Sequence, residues 1–318
     1  MHIKSKKTVK IMFEDFWRPA KQKYIRRNSL FKLLSKHYNL VLSDKPDFLL
    51  YSSFGYEYLK YDCIRIFYTG ENVRPNFEEC DYAFSFDYPN TERNYRLPLY
   101  RLSSWYDIAI KTSESRSLSK KHKKFCCFLY SNSEAQERIS FFQLLSQYKR
   151  IDSGGKVLNN LGHQIPRNET IEWMKNYKFC IAFENASYPG YTTEKLLHAL
   201  VANTIPIYWG IPLASKDFNQ ETFIDCNDYD SFDDAIEIVK KIDQDEALHK
   251  FMLSQSYFPH GNESWSCKEK NIITRFDKIF SDGKNYIPKE LRQKQRKKYP
   301  YFLTKRYINK ILESVFRK

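Results

Sequence analysis

Glycine is scarce in this chain, nine in 318 residues, and none of it is arranged as Gly-x-Gly-x-x-Gly or as a Walker-type loop. Nicotinamide and ATP chemistry in the forms that use those loops therefore lack support. No Cys-x-x-Cys occurs, which excludes a zinc ribbon, and the seven cysteines form no regular framework. They read as reduced thiols of a cytoplasmic protein, with Cys126-Cys127 buried in the apolar run from Phe125 to Tyr130. No stretch approaches the ~18 apolar residues of a membrane span. The basic start, Met1 to Lys7, is followed by Glu14, Asp15 and Arg18 rather than by the apolar core of a signal peptide. His-Glu-x-x-His is missing, and His198 reads as a packed residue. Two Asp-x-Asp triplets are present, Asp228-Tyr229-Asp230 and Asp243-Gln244-Asp245. The first is expected to cap a helix and the second to end one on a solvated turn, so neither is assigned to a metal.

What is abundant is positive charge and aromatic surface. The formal charge is +14, but residues 287–318 hold seven Lys and four Arg against Glu290 and Glu313, leaving +5 for the rest. A basic groove through the fold is thereby disfavoured, as is nucleic-acid binding. Within that segment Ile308, Ile311, Leu312 and Val315 recur at helical spacing among basic residues. This predicts an amphipathic helix on an anionic membrane surface, or one packed back on the N-terminal domain. Most of the 24 Tyr, 24 Phe and five Trp must form core.

Short apolar runs alternate with helical patterns. Strands are expected at Val9–Phe13, Asn39–Leu42, Phe48–Ser52, Ile64–Tyr68 and Tyr82–Phe86, and a helix at about Lys21–His37. The polar run Lys111–Lys124 marks a domain boundary. Beyond it come a strand at Phe125, a helix over Ala135–Tyr148, Gly154-Gly155 in a loop, a helix near Glu169–Tyr177, Ser231 capping a helix over Ala235–Ile242, and a helix at Asn271–Phe280. The resulting domains are 1–121, 122–286 and a basic tail, 287–318.

Phe183-Glu184-Asn185 through Tyr191-Thr192-Thr193-Glu194-Lys195 combines a strand end, a turn at Pro189-Gly190, and a helix start capped by Thr192 or Thr193. Unpaired N–H groups and the positive dipole end at such a place favour a phosphate, and Lys195 adds a full charge. The segment Ile205 to Gly210 supplies the next strand of a βαβ unit, whose ligands lie at the carboxyl ends of strands.

These residues, with Lys216 to Asn219 and an upstream block from Arg65 to Phe77 and Cys80 to Asp87, resemble the α-1,3/4-fucosyltransferases of glycosyltransferase family 10. The resemblance runs loosely from Lys10 to about Phe280. It implies an α/β chain of the GT-B class, with two Rossmann-like domains facing across a cleft, using GDP-fucose and no metal. With no anchor visible, it implies a bacterial-type cytoplasmic form, peripheral on the inner face of the cytoplasmic membrane.

By the same resemblance Glu71 is the general base of an inverting transfer, while Lys195 and Arg138 meet the departing diphosphate. Tyr191 is a hydrogen-bond donor to the nucleotide, Glu194 accepts from ribose or fucose hydroxyls, and Glu184 and Asn185 shape or touch the donor. Trp17 offers a flat ring to the acceptor sugar, with N-acetylglucosamine in an N-acetyllactosamine-type glycan as the expected acceptor. Two alternatives remain at this point: a GT-B transferase of another sugar nucleotide, and a non-enzymatic basic protein that binds membrane or nucleic acid.

Overall fold

The computed structural model describes residues 5–113 and 123–316, with side chains to residue 304. Most of the run expected as a domain boundary, 114–122, lies outside the described residues. The chain divides into two compact units, Met1–Leu97 with Glu269–Lys318, and Pro98–Lys268.

The first unit opens with β1 (Thr8–Glu14), α1 (Gln22–Ile25), α2 (Ser29–Ser35), β2 (Asn39–Leu42), β3 (Phe48–Tyr51), β4 (Ile64–Tyr68), β5 (Tyr82–Ser85) and β6 (Asn94–Arg96). These strands form a six-stranded sheet in the order β2-β1-β3-β4-β5-β6. All its pairings are parallel, with Ile11 opposite Phe48 and Phe48 opposite Ile64. Leu49, Leu50, Ile66, Phe67, Ala83 and Phe84 are buried, as the middle strands of a parallel sheet covered on both faces require. The single helix expected over Lys21–His37 is two. Asn28, in an extended conformation, accepts the N–H groups of Leu30 and Phe31 at 2.9 and 3.4 Å and starts α2 afresh.

The second unit contains α3 (Tyr106–Thr112), β7 (Lys124–Phe128), α4 (Gln136–Ser146), β8 (Ile151–Ser153), α5 (Thr170–Met174), β9 (Tyr177–Phe183), α6 (Glu194–Val201), β10 (Ile205–Trp209), β11 (Ile224–Asp225), α7 (Phe232–Gln244) and α8 (Glu246–Ser254). Its five-stranded parallel sheet runs β11-β10-β9-β7-β8. Phe128, Phe141, Phe179, Ile181 and Ile207 belong to one core cluster, while Leu196, Leu197, Leu200 and Tyr208 belong to another. The helix expected over Glu169–Tyr177 stops at Met174, and Tyr177 already belongs to β9.

Asp243 departs from the solvated turn expected of it. Its side chain is nearly fully buried and accepts Lys178 Nζ at 2.8 Å, the Tyr148 hydroxyl at 3.1 Å and Lys149. Burial pushes its carboxyl up, but the two lysines outweigh burial and hold it below the ordinary range. Capping of α7 falls to Ser231, and Asp245 caps α8 by accepting Leu248 N–H at 2.9 Å.

The chain then returns to the first unit with α9 (Glu269–Asp282) and α10 (Lys289–Phe316). This differs from the boundaries expected from sequence, which put α9 in the second domain and treat 287–318 as separable. The reason is a buried anchor. Asp81 accepts the N–H groups of Arg65, Tyr286 and Ile287 at 2.7 to 3.0 Å and pairs with Arg292 at 2.6 Å, with its own side chain fully buried. Phe276 stacks on Phe84 at 4.3 Å, the Tyr299 hydroxyl donates to Glu57 at 2.9 Å, and Phe302 stacks on Tyr56 at 4.6 Å. The start of the basic segment is thus part of the first unit's packing.

Candidate functional site

In the second sheet β8 lies on one side of β7 and β9 on the other, so successive crossovers from β7 diverge. The gap between diverging loops at the carboxyl ends of such strands is where open parallel sheets hold ligands. A cavity of about 570 Å³ opens there, lined by the loop after β7 (Leu129 to Asn132), by Gly154 and Gly155 after β8, by Asn185 after β9, and by Glu194, Lys195 and His198 of α6. Arg138 of α4 also lines it. The two loops meet only because residue 155 is glycine. A Cβ there would stand 2.1 Å from the Tyr130 carbonyl oxygen, which instead accepts Lys156 N–H at 2.8 Å.

The β9–β10 ladder continues one residue beyond the strand, with Glu184 N–H donating to Trp209 O at 2.8 Å. Its side chain is therefore held at the strand's end, where it accepts Thr193 N–H and the Thr193 hydroxyl, both at 2.7 Å, and pairs with Lys195 Nζ at 2.8 Å. Gly210 leaves room for it, since a Cβ at that position would lie 2.8 Å from Glu184 Cγ. Thr193 is the N-cap of α6 without a side-chain cap bond, because its hydroxyl serves Glu184 and Lys195 instead. Burial works against the Lys195 charge, but Glu184 and Glu194 outweigh it and hold its pKa above the ordinary value.

Arg138 is 1 % exposed. Its Nη2 donates to Glu184 O at 2.8 Å and Asn185 Oδ1 at 2.6 Å, and its guanidinium lies 4.1 Å over the Tyr130 ring. All these partners are neutral, and among the described residues Nε has no hydrogen-bond partner. A buried cation without a carboxylate partner calls for an anion from outside, since uncompensated buried charge costs several kcal/mol. Of the two cations expected at the site, Arg138 has that property and Lys195 does not.

Glu194 is half-buried. Burial pushes its carboxyl up, but Lys195, His198 and the hydrogen bonds from its own backbone N–H and Thr193 together outweigh burial and keep the group below the ordinary range, ionised at neutral pH. His198 Nε2 is hydrogen-bonded to Ser103 Oγ at 2.9 Å, and burial keeps the ring below its usual pKa and neutral. Four residues expected from sequence, Arg138, Asn185, Glu194 and Lys195, therefore come together on one cavity. Glu184 and Tyr191 are buried and absent from its lining. The loops at 129–132 and 164–167, Gly155 and His198 also line it without having been singled out as site residues. The Gly-Gly pair itself, directly after Ile151-Asp152-Ser153, was the available signal for the contact of the two loops.

The first sheet has the same property, with β2 and β3 on opposite sides of β1. Asp15, in the left-handed region at φ 56°, turns the chain out at the end of β1. Trp17 follows, 68 % exposed and edge-on to Phe54 at 5.1 Å, in a cavity of about 460 Å³. Glu71 sits after β4 on the same sheet edge, half-buried. Buried Thr69 fixes its backbone, its hydroxyl accepting Glu71 N–H at 3.0 Å and donating to Glu71 O at 2.9 Å. Among the described residues no cluster of three His, Cys, Asp or Glu is gathered for a metal, and no helix is long and apolar enough to cross a membrane.

Comparison with known proteins gives a consistent result. Residues 11–103 match the family model of the alpha-(1,3)-fucosyltransferase FucT N-terminal domain, and residues 118–280 that of the glycosyltransferase family 10 (fucosyltransferase) C-terminal domain. The alpha-(1,3)-fucosyltransferase FucT of Helicobacter pylori is 31 % identical over 80 % of this chain, which spans 62 % of that relative's length. A crystal structure of an α1,3-fucosyltransferase with GDP-fucose is similar at a TM-score of 0.74 and 28 % identity, covering 91 % of this chain and 95 % of that one. One with GDP is similar at 0.73 and 28 %, covering 89 % and 93 %. Two parallel α/β units of the GT-B class, with the family's N-terminal and C-terminal models matched in order along the sequence, identify the chain as a member of glycosyltransferase family 10, the fucosyltransferases.

Proposed function

We propose that the chain is an inverting α-1,3-fucosyltransferase that moves L-fucose from GDP-β-L-fucose to N-acetylglucosamine of an N-acetyllactosamine-type glycan, without a metal. The observation that carries this reading is the cavity at the β7/β9 switch point, where a carboxylate-free Arg138 lies beside Lys195 and the start of α6. The likeness to a fucosyltransferase with GDP-fucose supports the choice of nucleotide.

In this reading the diphosphate meets Arg138 and Lys195, Asn185 and Glu194 take donor hydroxyls, and Glu184 and Tyr191 shape the loop from beneath. Glu71 accepts the proton of the acceptor hydroxyl as that oxygen bonds to the anomeric carbon. The bond to the β-phosphate oxygen breaks on the opposite face, and its electron pair leaves with GDP. Trp17 stacks on the acceptor sugar.

Residues 1–97 with 269 onward form the acceptor half and 98–268 the donor half. Beyond the docked start of α10, the alternation of Ile308, Ile311, Leu312 and Val315 with basic residues suits peripheral contact with anionic lipid on a cytoplasmic membrane face. Radiolabelled GDP-fucose offered with a panel of glycan acceptors in EDTA tests the activity. Transfer competed by GDP but not by UDP-sugars is expected, and transfer from a UDP-sugar instead would replace the donor assignment.

A further inference from the structure

The cavity beside Trp17 has an unusual electrostatic border. From Phe16 to Ser43 the chain carries no Asp or Glu, while Arg18, Lys21, Lys23, Arg26 and Arg27 fall within ten residues. Arg18 and Arg27 line the cavity with Trp17, and both are exposed. Among the described residues none of these five cations is in an ion pair. Lys23 lies over the Tyr24 ring at 4.9 Å and Arg26 over the Phe31 ring at 5.9 Å. The two nearest carboxylates in sequence are turned away. Asp15 accepts Glu57 and Tyr58 N–H at 3.1 and 2.9 Å, and Glu14 accepts the Tyr61 hydroxyl at 2.8 Å.

A charged run on a helix face is ordinarily a solvated surface, and Lys36, paired with Glu269 at 3.1 Å, fits that account. Arg18 and Arg27 differ because they share a concave site with an aromatic plate open to solvent. A guanidinium fork matches the two oxygens of a carboxylate or phosphate, and an indole face matches the C–H face of a pyranose.

We propose that this cavity selects an anionic acceptor, a saccharide whose ring stacks on Trp17 while its carboxylate or phosphate is met by Arg18 and Arg27. The proposal rests on the transferase reading above, since it assigns the acceptor class of that reaction. The sheet geometry is compatible with it. The loop carrying Glu71 leaves β4, two strand spacings or about 10 Å from β1 along the same edge, so one oligosaccharide can span both.

The test compares kcat/KM for one acceptor backbone in three forms: neutral, bearing a carboxylated sugar, and bearing a phosphate. An anionic form should be favoured about tenfold at low salt, chiefly through KM, as expected for one charge-assisted contact at a half-open site. Whichever anionic form is preferred identifies the source of the charge. Arg18→Ala, Arg27→Ala and their combination should reduce the anionic-to-neutral ratio towards one, and Arg27→Lys should retain part of it. Equal use of the three forms by the unmodified chain, or a ratio untouched in the double variant, overturns the proposal.

Binding is read separately, without donor, by tryptophan fluorescence with Trp17→Phe as the control. Charge-selective quenching that vanishes in the control, in a chain that transfers fucose to nothing, would sink the transferase reading and keep the anionic site. Transfer that ignores charge, with quenching that ignores it too, does the reverse.

Discussion

Replacing Lys195 with Met separates what this residue does for the fold from what it does for the nucleotide. In the folded chain its ammonium pairs with Glu184, whose carboxylate is fully buried and, among the described residues, otherwise held only by Thr193. Breaking a buried pair costs roughly 3–5 kcal/mol, and because Lys195 keeps 19 % of its side chain exposed, about 3 kcal/mol is expected. For a unit of this size that lowers Tm by roughly 6–12 °C. Loss of a charged contact to the diphosphate should also weaken GDP binding by about ten- to a hundredfold. The two effects come apart in Lys195→Met/Glu184→Gln, where no buried charge is left without its counterion. Calorimetric unfolding should recover most of the lost stability in the double variant, while titration calorimetry should still find weak GDP binding. If the double variant binds GDP as tightly as the unmodified chain, Lys195 only holds the loop and the phosphate falls to Arg138.

Three other outcomes are expected. Glu71→Gln should keep GDP affinity and lower turnover by roughly a hundredfold or more, and unchanged turnover on a verified acceptor removes Glu71 from the role of base. Gly155→Ala should destabilise the second unit by on the order of 3 kcal/mol, because its Cβ would collide with backbone of Tyr130, and a wild-type urea midpoint would show that the loops yield. Burial pushes the Asp225 carboxyl up to about 6 from 3.8, so the folded state holds that proton more tightly and stability falls as pH rises from about 4 to 6. Asp225→Asn, which keeps the oxygen that accepts Asn227 N–H, should therefore be more stable than the unmodified chain at pH 7, on the order of 2 kcal/mol, and no better at pH 3.5. A gap independent of pH would refute that account.

The strand at Ile64–Tyr68 stands where its apolar run puts it, because a buried parallel strand leaves a short, uninterrupted signature, and Asn39–Leu42 matches its expected bounds although it is a partly exposed edge strand. β6, β8 and β11 span only two or three residues and leave none. Asn28 was readable as a cap inside the expected helix, but the continuous apolar spacing around it masked the break. Arg138, Asn185, Glu194 and Lys195 were legible through the charged turn and the family pattern. The Glu184–Lys195 pair was not. Both residues carry charges that sequence alone sends to a ligand, and only the register that extends β9 by one residue turns Glu184 inward. Which sheet α9 covers was equally hidden, since an amphipathic pattern states that a face is buried and not against what.

The Asp81 anchor has a consequence for synthesis. Its partner Arg292 lies 211 residues later, so at about 5–20 residues per second the nascent carboxylate waits roughly 10–40 s for its counterion. The second unit, continuous from Pro98 to Lys268, can close as soon as it clears the ribosome, while the half made first matures last. Translation order and folding order are thereby reversed, and any nascent chain stalled before Arg292 would expose a first unit whose six strands lack their C-terminal anchor to chaperones and proteases.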